Sequence, residues 1–435
     1  MNPRLMGGVM PMPARREFRG INPRGMVVAL ALYVAVLTGC ESLLEVEVPG
    51  AVTAESLDNP QMAASLLVGA IGEVECAVGQ YVEGTAILAD EVISSSFWRN
   101  YNVWGAKLEE LNTWTGPCQT SVDSSNLGFY LALSRARFMT DDAFERIGAF
   151  DEAELPLNKT QAQAQLAAYA GYALTMLGEG FCEAAIAGGP VLPPSEVLEL
   201  ADERFATALA LAAQAGDESL LNTARVGRAR VLLNLGRDAE AAELARQVPE
   251  GFTRDATYST VTGRRHNRLW VSSNRNRYLS VAPAYRGLTI EGEMDTRVES
   301  TDTGEVGHDN FTELFLQTKY PTASSPIPLA SWREARLIVA EAELGQSAVD
   351  RINELRAFHG LPLYSPSSLD DATILAQVLE ERSRELFLEG HRLNDKLRHD
   401  LPFPTGLNHK AEPYGPTTCM PLPNVERFSN PNITS

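Results

Sequence analysis

The sequence predicts a mostly α-helical fold made of helix pairs, interrupted by a loop-rich insertion with a few short strands. Two observations lead to this prediction. Alanine-rich stretches with apolar residues at helical spacing recur along the chain and end in Leu-Gly, which is typical of helices stopped by a glycine. The segment from about Pro249 to Pro328 is instead dense in Arg, Asn, Ser, Thr and Gly, and its lack of a helical period predicts loops and short strands.

The first 39 residues have the organisation of a secretory signal, with arginines before an apolar run and small residues after it. The run from Met26 to Leu37 is too short to cross a bilayer, which takes about 20 residues. It closes as Leu37-Thr38-Gly39-Cys40, which fits the lipobox of bacterial lipoproteins, where the cysteine thiol is lipidated. An ordinary signal peptide with a chance cysteine is the alternative. The sequence thus predicts an exported chain anchored through Cys40, with residues 40–55 as an acidic tether.

Charge and histidine content exclude several classes of function. The formal net charge is −19 at pH 7, which argues against a nucleic-acid surface, because phosphate binding needs a concentrated basic face. The six histidines are scattered and no Cys-x-x-Cys spacing occurs, so neither a metal site nor a cofactor is predicted.

Four cysteines remain beyond Cys40, namely Cys76, Cys118, Cys182 and Cys419. An even number in an exported chain predicts two disulfides. Three pairings are compatible with four cysteines. We favour Cys76 with Cys118 and Cys182 with Cys419, since a local bridge and a long-range bridge would each restrain one end of the fold.

The predicted helices follow in order. The first core helix begins at Asp58-Asn59-Pro60, where polar residues and proline suit a helix start. Leu-Gly ends at Gly178, Gly236 and Gly345 are unequally spaced, so the middle of the chain resembles tetratricopeptide-like hairpins without a strict repeat. Asp370-Asp371 begins the clearest helix, and from Leu401 the recurring prolines predict an extended tail pinned by Cys419.

The C-terminal third carries an ordered series of short motifs. They are Glu381-Arg382, Glu385-Leu386, Glu389-Gly390 with Arg392, Asp395 with Arg398, Pro421 with Pro423, Glu426 and Asn430-Pro431; upstream lie Asp295-x-Arg297, Lys319-Tyr320-Pro321, EARLIVAEAELG (334 to 345) and AVDRINELRAFHGLP (348 to 362). Their order and spacing resemble those of the SusD/RagB family of outer-membrane nutrient-uptake lipoproteins. One departure is Lys396, where the family usually has leucine, which leaves the packing of this turn open.

The resemblance implies the fold and role of the whole chain. The expected fold is a SusD-like single domain over 56–435, mostly α, with tetratricopeptide-like hairpins and the insertion at 249–328. The family carries no enzyme activity. Its members sit lipid-anchored on the outer membrane, exposed at the cell surface, and form the lid of a SusC-type TonB-dependent barrel, to which they deliver a glycan or another small nutrient such as a peptide. Glu41, directly after Cys40, resembles the family's surface-export signal.

Two aromatic segments are the candidate ligand site, because sugars bind flat aromatic faces flanked by fixed polar groups. The first segment contains Trp98, Tyr101 and Trp104 at spacings of three. That spacing would equally bury one face of a helix, although nearby serines and a glycine favour a surface loop. The second segment lies in the insertion. The predicted ligand residues are Trp98, Arg99, Tyr101, Asn102, Trp104, Trp270, Arg277 and Tyr278.

The sequence leaves two other classes of function open. A glycoside hydrolase needs two carboxylates about 5 to 10 Å apart, and Asp90-Glu91, Glu109-Glu110 and Glu380-Glu381 are available. In a chain with 56 acidic residues such pairs are expected by chance, and Glu380 with Arg384 is more simply a helical i, i+4 pair. The second class is a tetratricopeptide-like scaffold that binds only protein and has no soluble ligand.

Overall fold

A stack of packed helices forms the first half of the computed structural model, which describes residues 55–108, Cys118 and 128–433. The helices are α1 (Ala63–Leu88), α2 (Arg99–Gly105), α3 (Gly128–Ala149), α4 (Lys159–Gly180), α5 (Pro194–Ala215), α6 (Glu218–Asn234) and α7 (Asp238–Arg246). α1 packs on α3, and from α3 to α7 each helix packs on the next. This sequential packing is that of helix hairpins joined by short loops.

Three glycines allow the central helices to approach closely. A Cβ at Gly171 would lie 2.9 Å from the ring of Phe205, and a Cβ at Gly227 would lie 2.3 Å from the same ring. A Cβ at Gly178 would lie 2.7 Å from Leu198. Any larger residue would overlap these neighbours, so α4, α5 and α6 pack through their glycines.

Of the predicted helix ends, the structure confirms the one at Gly236 and contradicts the one at Gly178. Gly236 follows α6 with a φ of 72°, so the prediction that a left-handed glycine ends this helix is confirmed. Gly178 lies inside α4, which continues to Gly180, and the prediction of a helix end at Gly178 is wrong. The reason is tertiary, because this glycine serves the contact with Leu198.

The insertion consists of short strands and turns. It contains the short α-helix α8 (Arg268–Trp270), which is followed by a π-helical turn, Val271–Arg275. The strands of the described chain are β1 (Val92–Ser94), β2 (Ala184–Ala185), β3 (Val191–Leu192), β4 (Thr253–Ala256), β5 (Leu279–Val281), β6 (Thr289–Ile290), β7 (Glu293–Met294), β8 (Ser300–Val306), β9 (Glu313–Gln317) and β10 (Ile327–Ser331). They pair antiparallel in twos, and β1 with β5 joins the first half of the chain to the insertion.

Helices resume after β10 as α9 (Trp332–Glu343), α10 (Gly345–Phe358), α11 (Asp371–Glu385), α12 (Arg392–Arg398) and α13 (Asn424–Ser429). Asp370 caps α11 by accepting a hydrogen bond from Thr373 N–H at 3.0 Å, as its position predicted. α9 packs on α6, α7, α10 and α11, so it connects the C-terminal helices to the helix stack. The mostly α fold with a loop-rich insertion is therefore confirmed.

Two disulfides restrain the chain, and they have the favoured pairing. Cys76 is bonded to Cys118 and Cys182 to Cys419. Beside the second bridge, Met420 N–H donates to Gly180 O at 2.8 Å, and Cys182 N–H donates to Met420 O at 2.9 Å. The proline-rich tail is thus held on the end of α4.

The segment Pro60–Leu88, which contains α1, is long and apolar enough to cross a membrane, with a mean hydropathy of 1.5. Half of its most apolar stretch of 18 residues is buried inside the fold. Glu83 on this helix is fully buried and pairs with Arg268 at 2.9 Å. Such burial and pairing are those of a core helix in a folded domain.

The motif residues of the C-terminal third form buried ion pairs. Arg297 Nη2 lies 2.7 Å from Asp295, and Arg297 Nη1 lies 2.7 Å from Glu381. Arg382 pairs with Asp395 at 2.8 Å. These motifs therefore connect the insertion to α11 and α11 to α12, which is a structural role.

Lys396, the departure from the family pattern, is accommodated by its surroundings. Its Nζ lies 3.0 Å from Asp90 and 4.4 Å from the ring centroid of Phe403. Asp90 also pairs with the buried Lys107 at 2.6 Å. A cation over an aromatic face and beside a carboxylate is favourable, so the turn that contains Lys396 is well packed.

Candidate functional site

The two predicted ligand segments meet where β1 pairs with β5. Beyond the strands, Ser95 N–H donates to Tyr278 O at 2.8 Å, and the Ser95 hydroxyl donates to Arg277 O at 2.9 Å. The rings of Tyr101 and Tyr278 also touch, with centroids 5.1 Å apart. The structure thus brings together parts of the sequence that are 180 residues apart along the chain.

Tyr101 and Trp104 are not available to a ligand, so their prediction as ligand residues is wrong. They lie on α2, where they are 2% and 1% exposed. The Tyr101 hydroxyl donates to Glu83 at 3.1 Å, and the Trp104 ring packs edge-on against Phe129 at 4.8 Å. The alternative interpretation of the three-residue spacing, a helix with one buried face, is the correct one for 99–105.

Trp98 and its neighbour Phe97 remain outside the core. Phe97 is 62% exposed and Trp98 56% exposed, directly before the first turn of α2. The Trp98 indole stacks on the imidazole of His308 with centroids 6.1 Å apart and an angle of 14° between the ring planes. Phe97 and Tyr278 contact the same imidazole edge-on, at 5.6 and 4.8 Å. His308 is therefore the centre of the aromatic group.

Two further loops hold this aromatic group in place, and the sequence patterns do not predict that either loop belongs to the site. His308 belongs to the turn between β8 and β9, and His308 N–H donates to Arg277 O at 3.0 Å. Lys410, in the tail, lies 2.8 Å from Asp309 and donates to Ser96 O at 2.8 Å. A lone histidine and a lone lysine in polar loops give no periodic signal, so only the folded chain reveals them.

Asn102 faces the tail and not the solvent. Its side-chain oxygen accepts hydrogen bonds from Lys410 Nζ and from the Ser94 hydroxyl, both at 2.9 Å. Asn102 therefore positions Lys410 at the edge of the aromatic group. Arg99 is exposed on the first turn of α2, beside Trp98.

Arg277 is exposed and has a left-handed backbone, with a φ of 59°. A non-glycine residue in this region has a strained backbone, which its surroundings must hold in place. Its carbonyl accepts from Ser95 and His308, while its guanidinium pairs with Glu305. The strained backbone thus places two loops around Tyr278.

Trp270 lies in a different environment. Its indole N–H donates to Pro321 O at 3.0 Å, and its backbone N–H donates to the Asn267 side chain at 3.0 Å. Among the described residues, no ring contact or hydrogen bond connects it to Trp98 or His308. Contact between Trp270 and a ligand therefore stays a prediction.

Charged groups around the aromatic group are paired with one another. Burial opposes ionisation of Asp309, yet hydrogen bonds from Lys410 and Thr312 together lower its pKa to about 2. Burial lowers the pKa of His409, whose Nε2 donates to Ser94 O at 2.8 Å. The local surface therefore offers aromatic faces beside internally balanced charges.

In the part of the chain that the structure describes, no group of three His, Cys, Asp or Glu side chains could hold a metal ion. Cys40, the predicted lipidation site, and the tether at 40–55 up to residue 54 lie outside the described residues. The same holds for Glu109-Glu110, one of the acidic pairs considered for a hydrolase.

Comparisons with known proteins bear on the family and the fold. A sequence model of the SusD family matches residues 334–417, the region of most of the C-terminal motifs. A search of curated proteins found no match.

Solved structures share the fold at low sequence identity. A SusD-like carbohydrate binding protein from Bacteroides vulgatus is 14% identical with a TM-score of 0.65, over 86% of this chain and 97% of that chain. A laminarin binding SusD-like protein is 16% identical with a TM-score of 0.60, over 86% and 98% of the two chains. A SusD superfamily protein from Bacteroides vulgatus is 18% identical with a TM-score of 0.61, over 87% and 100%.

The helix stack and the insertion are therefore those of the SusD-like fold. Within this fold, residues 334–417 match the sequence model of the SusD family.

Proposed function

We propose that this protein is a surface lipoprotein that binds a nutrient, in the first place a glycan, and delivers it to a SusC-type TonB-dependent outer-membrane transporter as its lid. The observation that carries the proposal is the exposed aromatic face of Trp98, held against His308 where the two predicted ligand segments meet. An anchor at Cys40 would keep the protein at the membrane surface.

The chemistry of the group suits a sugar ring. The C–H-rich face of a pyranose stacks on an indole, and its hydroxyls need hydrogen-bonding partners when water is excluded. Trp98 offers the flat face, while Arg99, Lys410 and His308 surround it with polar atoms. The charges of Lys410 and Arg277 are balanced by Asp309 and Glu305, which favours an uncharged ligand over an ionic one.

Two of the solved proteins that share the fold are described as carbohydrate binding and laminarin binding. Those descriptions apply to those proteins. For this chain they guide the choice of ligands, so a glycan panel should include laminarin beside other neutral polysaccharides, acidic polysaccharides and peptides.

We propose no enzyme activity, and the ion pairs made by Glu380 and Glu381 support this. Glu381 is buried between Arg297 and Arg356, and Glu380 pairs with Arg384 as an i, i+4 pair. A carboxylate engaged in this way is not free to act as the acid or base that hydrolysis of a glycosidic bond requires. Release of product from any panel member would contradict the proposal.

Calorimetry against the panel tests ligand binding. Trp98→Ala should weaken binding of the recognised glycan about tenfold or more, which corresponds to at least about 1.4 kcal/mol. Phe428→Ala, which removes another exposed ring, at 86% exposure on α13, is the matched control and should bind normally. Unchanged binding by Trp98→Ala would refute this site.

The same calorimetry separates the ligand-binding hypothesis from the tetratricopeptide-like scaffold. A scaffold predicts no heat with any soluble ligand and retained binding of a protein partner. Trp270→Ala, measured in the same series, decides whether the second predicted segment contributes Trp270 to the site.

Localisation and the transporter are tested in the native cell. Cys40→Ala should leave an uncleaved or soluble chain, and continued membrane attachment of that variant through the same N-terminus would refute lipidation. Affinity purification from solubilised outer membranes should recover a TonB-dependent barrel with the wild-type protein. Recovery of the protein alone would argue against the lid role.

A further inference from the structure

We infer that His308 is the hydrogen-bond donor of the ligand site, fixed as its neutral Nε2–H tautomer by the segment that carries Phe97 and Trp98. This inference rests on the proposed function, which it deepens by naming the residue that positions Trp98 and contacts the ligand. His308 lies in the turn between β8 and β9, outside both predicted ligand segments.

The tautomer follows from one hydrogen bond. Phe97 N–H lies 3.3 Å from His308 Nδ1. A backbone N–H can only donate, so Nδ1 must be the acceptor and carry no proton. In a neutral imidazole the proton is then on Nε2. The Ser96 hydroxyl, also 3.3 Å from Nδ1, is compatible with this assignment because it can donate as well.

The donor that results is free for a ligand. Among the described residues, no protein atom accepts a hydrogen bond from His308 Nε2, whereas Nδ1 has its partners in the 96–97 segment. His308 is only partly buried, and its ring is almost parallel to the exposed indole of Trp98. An N–H donor therefore lies beside a flat aromatic face, the combination that a sugar hydroxyl and its C–H face require.

The same contacts make His308 a positioning residue for Trp98. Its ring is in contact with Phe97, Trp98 and Tyr278, and its backbone is bonded to Arg277. The Ser96 hydroxyl accepts from Trp98 N–H at 3.1 Å, so the 96–98 segment is a small folded unit attached to the imidazole.

Nuclear magnetic resonance tests the tautomer without any ligand. Long-range 1H–15N spectra of the histidine-labelled full chain should show His308, assigned by loss of its signals in His308→Asn, with the proton on Nε2 at pH 8. A proton on Nδ1 would overturn the inference.

Two substitutions separate positioning from ligand contact. His308→Asn keeps an acceptor near the Nδ1 position for Phe97 N–H but removes the distal donor, whereas His308→Ala removes both. We expect the acrylamide quenching of Trp98 fluorescence, isolated by subtraction of the Trp98→Phe variant, to be unchanged in His308→Asn and to increase in His308→Ala. Equal quenching in all three proteins would refute the positioning role.

Binding of laminarin, or of another panel glycan that binds the wild type, tests the donor. His308→Asn should bind about tenfold more weakly, and wild-type affinity in that variant would refute ligand contact. If no glycan of the panel binds the wild type, both glycan binding and the donor role of His308 are refuted. The tautomer and quenching results would still decide the positioning role.

Discussion

Arg297 and Glu381 form an ion pair at 2.7 Å with both side chains only 1% exposed. Arg297 comes from the insertion and Glu381 from α11, and Arg356 of α10 donates to the same carboxylate at 2.8 Å. Both residues belong to the motifs by which the sequence resembles the SusD/RagB family. These residues of the family pattern therefore hold the insertion, α10 and α11 together.

Removal of one member of this pair should strongly destabilise the protein. Arg297→Met leaves Glu381, Glu385 and Asp295 with fewer cationic partners in the interior, and breaking a buried pair typically costs about 3–5 kcal/mol. Urea unfolding measures the change. Arg277→Ala, which removes a pair with Glu305 at about half exposure, is the control and should change the free energy of unfolding by about 1 kcal/mol or less.

Glycine-mediated packing predicts opposite effects of alanine at two helical positions. Gly227→Ala places a Cβ 2.3 Å from Phe205, so overpacking should cost about 1–3 kcal/mol. Gly69 on α1 has no atom within 4 Å of the Cβ position, and Gly69→Ala should stabilise by up to about 1 kcal/mol through helix propensity. Thermal or urea unfolding measures both effects. If the unfolding midpoints of Gly227→Ala and Gly69→Ala shift in the same direction, the packing argument is wrong.

Glu91 should make stability depend on pH. Burial, the largest influence, raises its pKa from 4.5 to about 7, although Leu388 N–H donates to it at 2.8 Å. The folded state therefore binds the proton more tightly than the unfolded state, so the contribution of Glu91 to stability is full below pH 4.5 and is lost as the pH rises through 7.

Glu91→Gln removes this dependence while it keeps the acceptor for Leu388 N–H. Between pH 5 and pH 8 the wild type should lose roughly 2–3 kcal/mol relative to this variant. Urea unfolding at both pH values measures the difference, and Glu293→Gln, at an exposed position of β7, serves as control. A constant difference between wild type and Glu91→Gln across this range would show that Glu91 is ionised at both ends.

The long-range disulfide should contribute more to stability than the local one. The bridges close loops with sequence separations of 237 and 42 residues, for which chain entropy gives about 5 and about 4 kcal/mol. The double variant Cys182→Ser with Cys419→Ser should lower the urea midpoint and expose the tail after Leu401 to proteolysis. In the variant Cys76→Ser with Cys118→Ser the tail should stay protected. A tail equally protected in both would mean that Met420 and its neighbours hold it without the bridge.

Patterns along the chain predicted the helices well where burial and capping are local. Asp370 caps α11 and Gly236 ends α6, because a cap depends on a few neighbouring residues. The prediction failed at Gly178, which looks like a helix end in sequence but packs against Leu198. The side that a residue faces depends on a partner far away in sequence, so local patterns do not encode it.

The candidate site shows the same limit. The sequence predicted the two aromatic segments. In the structure, the pairing of β1 with β5 brings Tyr278 next to the segment that contains Trp98. It did not distinguish Trp98, which is exposed, from Trp104, which is buried against Phe129. Both are tryptophans at one spacing on the same short segment.

By itself, the sequence determined the helical class and the resemblance to one family, because these depend on composition, periodicity and the order of motifs, whereas it left three disulfide pairings open. The tertiary structure alone decided that the motif acids are buried in ion pairs, that Tyr101 and Trp104 belong to the core, and that His308 joins Trp98. Burial and hydrogen-bonding partners are properties of the packed chain, since residues far apart in sequence create each other's environment only after folding.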